Sequence, residues 1–395
     1  MSKLSRSRHG AIVVPALAAV LALSACSPAA EGAGSDTLAV VATTTQLADF
    51  ASHIGGDDIA LTSLLQPGAS AHHFDPSPKE LVALSQADVL IVNGAELEGF
   101  IDSAIEASGF NGELVTAADG IDLAEAKEIT AEGELEAETG EVADHSGHDH
   151  ADHGDADHDH AAEAEDVAHE SGDHAEHDHA EASDHADHDH GGDEAGHEGH
   201  DHGDLNPHIW TSPRYASAMA AEVARGLAAA DPAHAADYET RAAAYEEQLA
   251  ALDTWVGEQF AAVPAADRVL VSGHDSLRYF LHDYDIAYAG AIMPSFEDNA
   301  EPSAAELDAL SAKIRDRGVR AIFVESSMSP KLAQTIARET GITVVDGDAL
   351  YADSLGAAGS GAETYVDATV HNTRVILEAW GATPGPVPEA LGEHS

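Results

Sequence analysis

Two rhythms of apolar and polar positions run along this chain, one with the period of a strand and one with the period of a helix. Residues 38–43 form a short apolar run rich in β-branched side chains. Thr44 and Thr45 follow as a helix cap, ahead of an amphipathic stretch that reaches Ile54 and stops at Gly55-Gly56. Residues 59–65, 89–92 and 113–116 repeat the strand signal, with a helix over 97–107 ending before Gly109. From 235 to 262, Tyr238, Tyr245, Leu249, Leu252, Val256 and Phe260 recur at helical spacing between charged residues. That pattern predicts one amphipathic helix on the order of 40 Å long, enough to cross two lobes. Pro264 ends it, and the alternation starts again. Strands are predicted over 268–272, 321–325 and 342–345, with helices through Leu277, Tyr279 and Phe280, from Ser329-Pro330 to Thr340 before Gly341, and over 365–380. Strands alternating with helices predict mainly parallel sheets. The fold class is therefore α/β: two lobes, each with a mainly parallel sheet flanked by helices, joined by one long rigid helix.

Composition breaks this rhythm once. Between Lys127 and Arg214 there is no lysine or arginine, and the chain fills with Asp, Glu, Ala, Gly and His. Sixteen of the 26 histidines stand here: His145, His148, His150, His153, His158, His160, His169, His174, His177, His179, His185, His188, His190, His197, His200 and His202. Such a segment has too few apolar groups to offset the entropy lost on ordering. Residues 128–204 are accordingly expected to be a disordered insert in the first lobe. Its repeated His-Asp-His spacing offers imidazoles and carboxylates to zinc, copper or nickel. It predicts weak, multi-site metal capture that protons displace below roughly pH 6.

The start of the chain has a different chemistry. Lys3, Arg6 and Arg8 precede a short apolar segment from 11 to 23, which reads as an export signal. It ends in Leu23-Ser24-Ala25-Cys26, which looks like a lipobox, and Cys26 is the only cysteine in the chain. A lone thiol in an exported protein forms no internal disulfide, and here it is placed for lipid attachment to a membrane. The expected divisions are a leader at 1–25, a tether at 26–36, a first lobe at 37–232 with the insert, a connecting helix at 233–263, a second lobe at 264–383 and a tail at 384–395. A formal charge of −55, from 72 acidic and 17 basic residues, attracts cations and repels nucleic acid, which is excluded as a partner.

In open parallel sheets, ligands bind at the carboxyl ends of strands, and two such ends, with two further segments, carry candidate chemistry here. After the second strand, Pro67-Gly68-Ala69-Ser70-Ala71-His72-His73-Phe74-Asp75-Pro76 holds two imidazoles on a loop that proline and glycine keep irregular. Directly after the insert comes Asn206-Pro207-His208-Ile209-Trp210. Gly273-His274-Asp275-Ser276 follows the first strand of the second lobe, and Leu350-Tyr351-Ala352-Asp353-Ser354-Leu355 follows its last. An Asp in such a loop is equally a cap.

Taken together, a His-x-aromatic-acid-Pro motif, a His-rich insert and Asn-Pro-His-Ile-Trp resemble the metal-binding solute-binding lipoproteins of ABC importers, the ZnuA/TroA-type family for zinc and manganese. The resemblance implies ligands at His72, His208, His274 and Asp353, with His73 and Glu325 as alternates. This chain has Ser70-Ala71 where the family usually has Asp-Pro before the first His. It also implies a long helix between the lobes, a membrane permease and its ATPase as partners, a divalent metal as cargo, and an extracytoplasmic, lipid-anchored, monomeric protein. Three imidazoles and one carboxylate suit tetrahedral zinc, with manganese as runner-up. Manganese favours more oxygen donors, and manganese members commonly place Glu where this chain has His274. Neither Gly-x-Ser-x-Gly, a Walker loop nor His-Glu-x-x-His occurs, so the expectation is a binding protein rather than an enzyme. The alternative reading is a lipid-anchored chelator or storage protein that uses the insert itself.

Overall fold

The computed structural model describes residues 37–139, 205–293, 295 and 301–392. The readings of the leader, the tether with Cys26 and the sixteen insert histidines lie outside these residues.

The first sheet consists of β1 (Leu38–Ala42), β2 (Ile59–Ser63), β3 (Val89–Val92) and β4 (Glu113–Thr116), all parallel, in the order β2-β1-β3-β4. The second consists of β5 (Val269–Ser272), β6 (Ala287–Ala291), β7 (Ala321–Glu325) and β8 (Thr343–Leu350), also parallel, in the order β6-β5-β7-β8. Each lobe thus places its first strand beside its third and reverses direction between them. In each lobe this creates a switch point where the strands' carboxyl ends leave a crevice.

Local chemistry sets the helices. Thr44 accepts a hydrogen bond from the Leu47 amide to start α1 (Thr45–Gly55), and Gly56, at φ 56°, takes the chain out of it. Ser77 and Glu80 form a capping box around Pro78 to start α2 (Pro78–Ser85), while Gly109 in the left-handed region closes α3 (Ile101–Ser108). The first lobe is completed by α5 (Pro213–Ala230), whereas α4 (Leu123–Thr139), next to it in sequence, packs on the second lobe. The second has α7 (Arg278–Asp283), α8 (Ala304–Asp316), α9 (Lys331–Thr340) and α10 (Tyr365–Ala379). Pro330, expected inside α9, is its N-cap.

Between the lobes runs α6 (Ala235–Ala261), 27 residues long and so about 40 Å. Near its start Arg241 donates to the Ile54 and Gly55 carbonyls at the end of α1. Near its far end Phe260 meets Phe280, Tyr284 and Trp380 at centroid distances of 5.6–5.9 Å. One continuous core passes from Val40 and Ile91, through Met219 and Leu249, to Leu270 and Phe323. A smaller core on the outer face of the second sheet gathers Val271, Ile322 and Val324 under Leu310 and Ile336. Alternate residues of β5 and β7 therefore feed opposite cores, which is why both strands are apolar throughout.

Two boundaries need correction. Residues 128–139, assigned by composition to the insert, continue α4. Ala126, Ile129, Thr130, Gly133 and Glu136 form its buried stripe, and a stripe of small and polar groups gives no apolar signal. The supposed tail packs down as well, since Trp255 donates to the Pro386 carbonyl at 3.0 Å and Leu391 is buried.

At Gly133 the helix α4 lies directly against Arg278 of the second lobe. A Cβ there would stand 1.4 Å from Nη1 of Arg278, a buried guanidinium held by Asp275 and packed 4.7 Å from the centre of the Tyr288 ring. Alanine would gain about 1 kcal/mol of helix propensity, but forcing a fixed buried pair apart costs about 1–3 kcal/mol. Gly133→Ala is expected to lower the thermal midpoint of the metal-free protein by several degrees, as read by calorimetry; an unchanged or raised midpoint would refute this packing argument.

Candidate metal centre

Four side chains converge at the carboxyl ends of the two sheets: His72, His208, His274 and Asp353, each with one donor atom within 4.8 Å of the others. His72 arrives on the loop after β2, and His274 stands two residues beyond β5. Asp353 stands three residues beyond β8. His208 is brought from the segment that follows the insert. Trp210 fixes this segment by donating from its indole to the Ala352 carbonyl at 2.8 Å, and Asn93 by donating to the Pro207 carbonyl at 3.1 Å. The loops of His72 and Asp353 are tied to each other, because the Gly68 amide donates to Ser354 Oγ at 2.8 Å. Phe74 anchors the His72 loop against Phe100, centroid to centroid 5.0 Å.

The spacing of the donors identifies what they fit. His72 Nε2 lies 3.1 Å from His208 Nε2, which lies 3.4 Å from His274 Nε2. Asp353 Oδ1 is 3.2 Å from His274 Nε2 and 3.5 Å from His208 Nε2. Four donors at about 2.0–2.1 Å from a tetrahedral ion would be separated by about 3.3–3.4 Å, and these four separations fall close to that length. Asp353 Oδ1 is buried without a well-formed hydrogen bond, as a carboxylate oxygen reserved for a cation would be.

Behind each buried ligand stands an orienting group. Asn206 Oδ1 lies 2.9 Å from His208 Nδ1 and accepts the His208 amide at 3.0 Å, while its Nδ2 donates to the Asp275 carbonyl at 2.7 Å. The amide's orientation puts the imidazole proton on Nδ1 and leaves Nε2 as the donor. Glu325 Oε1 stands 3.3 Å from His274 Nδ1. Its carboxylate is held by the Gly273 amide at 3.1 Å and Ser276 Oγ at 2.8 Å. Glu325, an alternate ligand on sequence grounds, thus lies behind His274 and outside the cage. The other alternate, His73, is exposed and absent from the cluster, its ring 6.4 Å from that of His72. Ser327 donates to Asp353 Oδ2. Asn206 and Ser327 received no role in the sequence reading; the Asn-x-His spacing was the one available sign of the first.

Electrostatics divide the four groups. Burial, together with the nearby His208, lowers His72 to about 3. Burial also lowers His208, against the pull of Asp353. For His274 burial opposes the charge, but Asp353 and Glu325 on either side outweigh it and raise it well above the ordinary value. Asp353 is correspondingly held well below the usual carboxylate range, because the histidines outweigh its burial. Without metal these shifts favour neutral imidazoles at His72 and His208 and an imidazolium–carboxylate pair at His274 and Asp353.

Closed on four sides by protein donors and built where two lobes meet, this is the arrangement of a solute-binding protein for a metal ion rather than of a catalytic site with an open position. Residues 40–379 match the model of the family described as zinc-uptake complex component A, periplasmic, and the chain belongs to that family. It is a metal-binding, substrate-binding component of an ABC transporter and not an enzyme. It is 26% identical over 373 residues to the manganese-binding lipoprotein MntA of Bacillus subtilis (strain 168), covering 93% of this chain and 98% of that one. It is 25% identical to the metal ABC transporter substrate-binding lipoprotein ScbA of Streptococcus cristatus, with 92% and 96% covered. The fold is similar to that of the periplasmic zinc-binding protein TroA from Treponema pallidum, at a TM-score of 0.63 and 22% identity over 87% of this chain and 99% of that one. Among the described residues no helix is long and apolar enough to cross a membrane.

His274 carries its proton at neutral pH in the metal-free protein, and an ion must take the Nε2 lone pair. Metal uptake at pH 7 is therefore expected to release about one proton, and affinity to rise with pH until the raised titration of His274 is passed. Calorimetry in buffers of different ionisation enthalpy reads this directly; uptake with no proton release would contradict the assignment.

Proposed function

We propose that the protein captures extracytoplasmic zinc in this cage and delivers it to a membrane permease driven by a cytoplasmic ATPase. The observation that carries the reading is the donor set: three imidazole nitrogens and one carboxylate oxygen at the edge lengths of a small tetrahedron, with His274 rather than a carboxylate as the third ligand. Manganese takes more oxygen ligands at higher coordination number, so the same cage disfavours it despite the manganese-binding relative. His72, the one half-buried ligand, is the side from which an ion enters. Cys26 anchors the protein to the membrane by lipid, and the mature chain acts as a monomer. The insert histidines hold metal loosely as an accessory store.

Competitive titration of residues 27–395 with zinc and manganese separates these roles, beside a variant lacking 140–204. The deletion starts at 140 so that α4 stays intact. One tight zinc equivalent is expected to survive the deletion, and His208→Ala and His274→Ala are each expected to weaken it by roughly 100-fold or more. His274→Glu should narrow the preference for zinc over manganese by at least about tenfold. Tight binding that vanishes with the insert and ignores both histidines would instead make the protein a chelator; manganese bound more tightly than zinc would overturn the metal assignment alone.

A further inference from the structure

The buried face of α4 holds a hydrogen-bonded hub that the ligand set does not explain. Thr130, 2% exposed, donates from its hydroxyl to the Ala126 carbonyl at 3.0 Å and accepts the Asn206 amide at 3.1 Å. The Tyr279 hydroxyl, 3.3 Å from that of Thr130, donates to the Asn206 carbonyl at 2.6 Å. Both backbone groups of Asn206 are thereby fixed by side chains, one from α4 and one from α7. Its own side chain spends Oδ1 on His208 and Nδ2 on the Asp275 carbonyl, next to His274.

The hub is also referenced to the second lobe. Glu136 Oε1 accepts the Tyr288 amide at 3.1 Å and lies 3.3 Å from Arg317, while Gly133 admits Arg278 against the helix. Although it belongs in sequence to the first half of the chain, α4 is docked on β6 and α7. The group it positions, His208, must share an ion with His274 from that same lobe. We propose that Thr130 is a positioning residue for the metal cage: through Asn206 it sets the ring of His208 relative to His274, so that α4 is part of the site's scaffold rather than the root of the insert. A helix stripe of Thr130, Gly133 and Glu136, three residues apart, supplies in turn the hydroxyl, the close approach and the acceptor that this requires. An apolar residue at 130 would fill the space but leave the Asn206 amide buried without an acceptor.

This inference rests on the zinc-cage reading, and its test keeps the two apart. In the mature full-length protein, Thr130→Val removes the hydroxyl and keeps the shape, Thr130→Ser keeps the hydroxyl, and Tyr279→Phe removes the hydroxyl that donates to the Asn206 carbonyl. Zinc affinity is measured against a chelator strong enough to strip the insert, and cobalt(II) bound in the cage reports ligand geometry through its visible bands. Thr130→Val is expected to lower zinc affinity about tenfold, the low end for groups that orient metal ligands, and to change the cobalt bands. Thr130→Ser is expected to restore both, and Tyr279→Phe to shift both in the same direction. A merely structural threonine would lower the thermal midpoint and leave affinity and cobalt spectrum per folded molecule unchanged, which overturns the proposal; so does a loss that serine fails to rescue. Should Thr130→Val not fold, Tyr279→Phe decides by the same two readouts. If His208→Ala leaves tight zinc binding intact, the cage reading itself fails, and this inference with it.

Discussion

Three imidazole nitrogens and a carboxylate oxygen gathered within 4.8 Å of one another do not stay together unaided. Without an ion only His274 and Asp353 attract each other, while His72 and His208 face each other as neutral rings and burial penalises every charge placed among them. The rest of the structure answers that constraint. The loops are tied to each other at Gly68–Ser354 and to the sheets through Asn93, Trp210 and Glu325. The long α6 and the common core keep the two rims at one distance.

The two rims contribute differently. The first lobe brings His72 and His208, both held neutral by burial. The second brings Asp353 and His274, with Glu325 behind the latter. An approaching cation therefore meets two ready donors and one carboxylate, and has only the His274 proton to displace. The same asymmetry explains why Glu325 stands back: it receives a backbone amide and a serine hydroxyl, so its oxygens are already committed to orienting a ligand.

How far the sequence could be read depended on what each element buries. Strands such as β3 and β7, covered on both faces, show as unbroken apolar runs and stand out at once. By contrast β6 is Ala-Tyr-Ala-Gly-Ala, with no distinctive period. The helix α5 buries Tyr215, Met219, Val223 and Leu227 at four-residue spacing, a helical signal diluted by the alanines between them. The helix α4 was hidden by its acidity, because its buried side carries Thr130, Gly133 and Glu136 where a core helix would show leucines. The capping boxes Ser77/Glu80 and Ser303/Glu306 were present in the sequence as start signals for α2 and α8 and went unused. The cage was legible because each of its residues follows a strand or a proline-bounded turn. The choice between Asp353 and Glu325 was not, because it depends on which carboxylate the neighbouring amides and hydroxyls already occupy.

The core that runs unbroken through both lobes has a consequence for turnover. A binding site at the junction of two independently stable halves would, on losing its ion, loosen only the hinge between them. Here the four donors stand on elements packed around one shared core, so an ion that binds only the folded chain stabilises both lobes together; at a thousand times its dissociation constant the linkage is worth about 4 kcal/mol. Scarcity of metal would then do more than empty the site: by the same linkage it would raise the population of unfolded molecules open to proteolysis.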